Sequence, residues 1–300
     1  MKKALLLIIT CWFYSHAVSQ TNIHFTNPVI YNVLKGNYDP QLYAPPFPVD
    51  NPAFIAQQLV QNIKPDSLKA TLIALQAFHN RNTGSDTISE TTGIGAARKW
   101  VLKQFDRISE EQSFRLVTGY LEFDQPVCGV DRHKNVVAVL PGRDTSDASC
   151  IIIEAHLDSR CKGNCDIDCL AEGMEDNGSG VALVIELARI MSRFVYDHTI
   201  VFMTVTGEEQ GLVGSNAFAA YAKAENIPIK LVQNNDIVGG VICGMTSSPP
   251  SCPGFNNVDS TQVRLFSFGG FNSPHKQLAR FIKLQYDEMM KPFATVPMQV

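Results

Sequence analysis

Three hundred residues with a hydrophobic share of 45% are enough to bury a sizeable core, as one large α/β domain or two small ones. A formal net charge of −4 offers no electrostatic footprint for nucleic acid or for an anionic membrane surface. After the first twenty residues no apolar run is long enough to span a bilayer.

The chain opens with a targeting pattern. Lys2 and Lys3 form a basic start, residues 4–14 are apolar, and Ala17-Val18-Ser19 supplies small residues for cleavage before Gln20. Residues 1–19 are therefore expected to be a signal peptide, and the protein to be secreted or periplasmic. Export favours cysteine pairing. Seven cysteines follow the signal segment, and Cys161, Cys165 and Cys169 crowd the stretch CKGNCDIDC. One or two disulfides stapling that loop are expected in preference to a structural zinc site. Cys243 and Cys252 can close a loop of their own. Seven is odd, so one thiol is free or paired elsewhere.

Residues 20–50 are rich in Asn, Pro and Tyr and read as an extended mature N-terminus. Residues 52–63 and 65–80 carry helical spacing, with Asp66 or Ser67 able to cap the second segment behind Pro65. Residues 95–108 form another amphipathic helix with Trp100, Val101 and Phe105 on one side. Residues 114–123 and 135–140 read as strands. Residues 151–155 form an unbroken apolar run, as a strand buried on both faces requires. Residues 179–194 place Val181, Val184, Ile185, Ala188 and Met191 at helical core spacing. A strand over 199–205, a helix over 214–224 and a strand over 229–236 follow. A short strand over 263–268, a helix over 274–290 and an apolar segment over 296–300 complete the chain. Strands alternating with helices of this length predict a three-layer α/β/α sandwich around a mixed, mostly parallel sheet. The domain is expected over residues 51–300. The sequence stops inside an apolar run, so that domain is expected to be incomplete at its C-terminal end.

Four potential metal ligands fall at strand ends or helix starts: His156, Asp176, Glu209 and Asp236. Taken singly, each has a plainer reading. A lone histidine is usually a satisfied core residue, Asp176 caps a helix, Glu208-Glu209 opens one, and Asn-Asn-Asp is a good turn. Taken together, they sit where open α/β sheets hold their ligands. Imidazole with carboxylates suits zinc. Three carboxylates are more negative charge than a single zinc usually gathers, which points to two nearby ions. Glu208, beside a ligand, fits a general base acting on water.

The motifs AHLDS, EDNGSG, TGEEQGLVGS and NNDIVG, in that order, resemble those of a family of secreted zinc exopeptidases. That family includes bacterial leucyl aminopeptidases, glutamate carboxypeptidase and glutaminyl cyclase. The resemblance runs from about residue 80 to the end and is sharpest over 135–240. It implies two zinc ions, with His156 and Asp236 on the first, Asp176 bridging and Glu209 on the second. It implies Asp158 as the aspartate orienting His156, Glu208 as general base, and a cis peptide between Asp176 and Asn177. The family also uses a downstream histidine on the second zinc. Only His275 follows Asp236 here, and its surroundings do not match, so that ligand is expected beyond Val300. The other histidines, His24, His79, His133 and His198, are expected on the surface or in loops. The activity implied is removal of N-terminal residues from peptides or proteins. Carboxypeptidase action, glutaminyl cyclisation and a metal-free binding module are the alternatives. The insert over 161–172 lies between two ligands and should rim the cleft, shaping substrate choice.

Overall fold

The computed structural model describes residues 20–240, 256–258, 260, 262–290, 293 and 296–300. The expected signal peptide and Cys11, Cys243 and Cys252 lie outside the described residues.

The N-terminal segment is more structured than its composition suggests. Thr21–Phe25 forms strand β1 and Pro28–Leu34 forms helix α1, followed by a 3-10 turn at Pro40–Tyr43. The expectation of an extended segment over 20–50 is therefore corrected. Asn27 accepts a hydrogen bond from the Val29 N–H, and Ile30, Val33 and Leu34 are buried. A seven-residue helix is too short to display a clear period, but its cap and its leading proline give it a start.

Helices α2 (Pro52–Asn62), α3 (Pro65–Gln76) and α4 (Gly93–Glu111) follow. Neither Asp66 nor Ser67 caps α3. The capping position is Lys64, whose backbone N–H donates to Glu186 Oε1 at 2.7 Å, so the cap comes from another helix. Strands β2 (Val117–Val127) and β3 (Val130–Leu140) form a hairpin. Then come β4 (Cys150–His156), a π-helical turn at Met174–Ser179, α5 (Gly180–Met191), β5 (Thr199–Val205), α6 (Val213–Ala224) and β6 (Ile229–Asn234). A two-residue pair, β7 (Val263–Arg264) and β8 (Met298–Gln299), flanks α7 (Pro274–Gln285).

The main sheet has six strands in the order β1-β2-β3-β5-β4-β6. It is mixed, as expected, but not mostly parallel among the described strands. β4 pairs in parallel with β5 and with β6, whereas β1–β2, β2–β3 and β3–β5 are antiparallel. For β2 and β3 the cause is local: the turn that joins them is too short for a parallel crossover.

Period-two alternation splits each central strand between two cores. Val136, Ala138, Leu140, Ile200 and Phe202 face the side covered by α3, α4 and α5. Val137, Val139, Val201, Met203 and Val205 face the opposite side, with α1 and α6. This is the expected three-layer arrangement. Burial on both faces explains why these strands read as continuous apolar runs. The parallel trio β5-β4-β6 brings the carboxyl ends of three strands to one edge of the sheet.

Candidate metal centre

His156 closes β4, and its side chain is only 2% exposed. Its Nδ1 lies 3.0 Å from the backbone carbonyl of Asp158. A carbonyl only accepts, so Nδ1 carries a proton and Nε2 holds the lone pair of the neutral ring. Nε2 lies 3.1 Å from Asp176 Oδ1 and 3.5 Å from Asp236 Oδ1. One ligand atom from each of the three residues falls within 4.8 Å of the other two.

Two asparagines hold the carboxylates in place. Asp176 sits in the π-helical turn, and its peptide bond to Asn177 is cis. Asn177 is buried. Its Nδ2 donates to the Asn235 carbonyl at 2.9 Å, and its Oδ1 accepts from the Gly180 N–H at 2.9 Å and the Ile237 N–H at 3.4 Å. Asn235 in turn donates to the Glu154 carbonyl on β4. The loop after β6 and the turn before α5 are thus laced together beside His156. Glu175 accepts from the Gly239 N–H and takes no place among the ligands.

Asp158 is fully buried. Its Oδ1 and Oδ2 each accept a backbone N–H at 3.2 Å, from Glu208 and Glu209 respectively. The distance from Oδ1 to His156 Nδ1 is 3.6 Å, longer than the contact from the Asp158 carbonyl. Asp158 therefore orients the imidazole through its main chain and anchors the Glu208-Glu209 turn through its side chain. Glu208 is half-buried, and burial raises its pKa, with Asp158, Glu209 and Asp236 adding to the effect against the pull of His156. Glu209 does not join the His156 cluster. Its Oε2 pairs with Arg160 Nε, and its pKa is raised by burial and by Asp176. His275 is not in the cluster either; its ring packs edge-on against Phe268.

Several residues that position the site have no motif to announce them. Arg81, in the turn NRNTGS, is completely buried. It donates to the carbonyls of Leu157, Leu75, Glu172 and Gly173, clamping the end of β4 to the loop that leads to Asp176. The segment is polar and turn-rich, which gives no hint of a buried arginine. His133, expected on the surface or in a loop, is instead fully buried on β3, with Nε2 2.9 Å from the Gln125 carbonyl. The crowded cysteines form two disulfides, Cys128–Cys165 and Cys161–Cys169, while Cys150 is a buried free thiol.

The donor set fits a divalent cation. Burial works against charge on His156, yet the carboxylates of Asp158, Asp176 and Asp236 outweigh it and push its pKa up to about 12. One imidazole and several carboxylates are a borderline set that suits zinc.

The fold is of the α/β type found in solved aminopeptidases. Residues 135–242 match the sequence profile of peptidase family M28, so the chain carries a domain of that family. A probable zinc metalloprotease of Leptosphaeria maculans is 32% identical over 240 residues, covering 75% of this chain and 55% of that protein. A probable leucine aminopeptidase of Arthroderma otae is 27% identical over 251 residues, covering 82% and 58%. The crystal structure of the Legionella pneumophila LapA aminopeptidase superposes with a TM-score of 0.61 at 21% identity, over 84% of this chain and 58% of that one, a likeness of fold. The chain spans about half the length of the curated relatives it matches.

Proposed function

We propose that this protein is a secreted, zinc-dependent exopeptidase that removes N-terminal residues from peptides. The observation that carries the reading is the convergence of His156, Asp176 and Asp236 at the strand ends with Glu208 beside them. A metalloprotease relative at 32% identity and a leucine aminopeptidase relative at 27% support the same chemistry.

In this reading His156, Asp176 and Asp236 hold one zinc, and Asp176 and Glu209 contribute to a second. Bound zinc supplies Lewis-acid polarisation of the scissile carbonyl and lowers the pKa of water. The Glu208 carboxylate takes the proton of the attacking water and returns it to the leaving amine. Asp158 holds the backbone of Glu208 in place, so the base does not drift as charge develops. The surplus of carboxylates around the cluster suits a cationic substrate amine better than a substrate carboxylate.

Glu208→Gln keeps the shape of the base and removes its proton affinity. The substitution is expected to leave zinc content unchanged while kcat falls by about 10²–10⁴-fold on an aminoacyl chromogenic substrate. N-acetylation of the substrate should abolish cleavage. Full turnover by the Gln variant, or equal cleavage of the acetylated substrate, would overturn the reading.

A further inference from the structure

Arg160 is the residue the proposed mechanism leaves unused. It stands immediately before the disulfide-closed loop Cys161–Cys169. That loop is pinned on two sides. The Asn164 carbonyl accepts from Asn82 Nδ2 and from Gln210 Nε2, each at 2.8 Å, and Asn80 Nδ2 donates to the Cys169 carbonyl at 2.9 Å. Gln210 directly follows Glu209, so the loop and the Glu208-Glu209 turn are fixed to one another. From this platform the Arg160 guanidinium reaches Glu209: its Nε pairs with Oε2, and its Nη1 lies 3.3 Å from Asn164 Oδ1. The Glu209 side chain is 9% exposed and that of Arg160 is 41% exposed. The ion pair is shielded on the carboxylate side and open on the guanidinium side.

We propose that Arg160 is a built-in counter-cation for Glu209, one that competes with the second metal ion for that carboxylate. The inference rests on the two-metal reading above. A carboxylate this well shielded and beside Asp176 needs positive charge, and the guanidinium supplies it. When a divalent ion takes Glu209, Arg160 has to leave, because the fixed positive charge and the ion repel one another. The open side of the pair lets the long side chain swing into solvent. At the first position Asp176 and Asp236 pair with the His156 imidazole rather than with a guanidinium, and Arg160 and Arg81 act on Asp176 only at longer range. The two positions are therefore loaded in order, with Arg160 setting the threshold of the second.

The test is a zinc titration against a chromogenic chelator, with elemental analysis of the bound metal, on the full-length protein and two variants. Arg160→Gln is expected to leave the first dissociation constant within about twofold and to tighten the second by about tenfold or more. Arg160→Lys keeps the charge and should remain close to the parent protein. A second constant unchanged or weakened in Arg160→Gln would overturn the proposal, as would a single ion bound by every form. An unchanged or weakened second constant leaves the two-metal reading standing, whereas a single ion in every form removes its second ion and keeps only the first. Failure of the parent and both variants to bind any ion would instead remove that reading, and the proposal with it.

Discussion

The Asp158 carboxylate is sealed from solvent and spends both oxygens on the backbone of the next strand's turn. A buried charge is tolerated only when hydrogen-bonded, and here the two N–H donors satisfy it. Asp158→Ala would leave both donors without a partner. The expected cost is about 1–3 kcal/mol in chemical denaturation, with kcat reduced more than affinity for the first zinc. An unchanged denaturation midpoint would mean the two contacts do not hold the turn. The motifs around them singled out His156, Asp158, Asp176, Glu208 and Asp236 in the sequence, and the structure brings His156, Asp176 and Asp236 together. The pairing of Glu209 with Arg160 was not legible there. They are 49 positions apart, and no local pattern signals a contact made by loops from different strands.

At the scale of elements, the site depends on how closely α5 approaches the sheet. A Cβ on Gly180 would stand 2.1 Å from the Asn235 carbonyl oxygen and 2.4 Å from Asn177 Oδ1. These are the atoms that lace the Asp176 turn to the Asp236 loop. Gly180→Ala must push them apart, at an expected cost of about 1–3 kcal/mol and with weaker binding of the first zinc. Gly270→Ala meets nothing within 4 Å and serves as the control, expected to match the parent in melting temperature and zinc affinity. Equal behaviour of the two variants would show that the close approach does not matter. The sequence EDNGSG announced a turn opening a helix but not this contact, which comes from a loop more than fifty residues later. Helices with strong amphipathic spacing, such as α4 and α5, were read to within a few residues of their ends. α1 was missed because two turns are too short to establish a period, and β1 because five residues at the edge bury only Phe25.

At the scale of the whole molecule, the layered architecture follows from strands apolar on both faces, and the sheet's polarity follows from its connections. The β1, β2 and β3 half is antiparallel, with β2 and β3 joined as a hairpin. The β4, β5 and β6 half is parallel and delivers every candidate ligand to one edge. The two disulfides fasten the 161–172 insert beside that edge and to the hairpin at Cys128. Sequence composition indicated that these cysteines pair, but not which with which, since pairing depends on where the hairpin turn meets the insert. Divalent metal capture by this edge is the claim on which the functional account stands. The most direct measurement is anomalous diffraction at the zinc absorption edge from crystals grown with zinc. The account predicts a peak coordinated by His156 Nε2 and the carboxylates of Asp176 and Asp236, lost in His156→Ala. Zinc held elsewhere, with that position empty at saturating concentration, would contradict it.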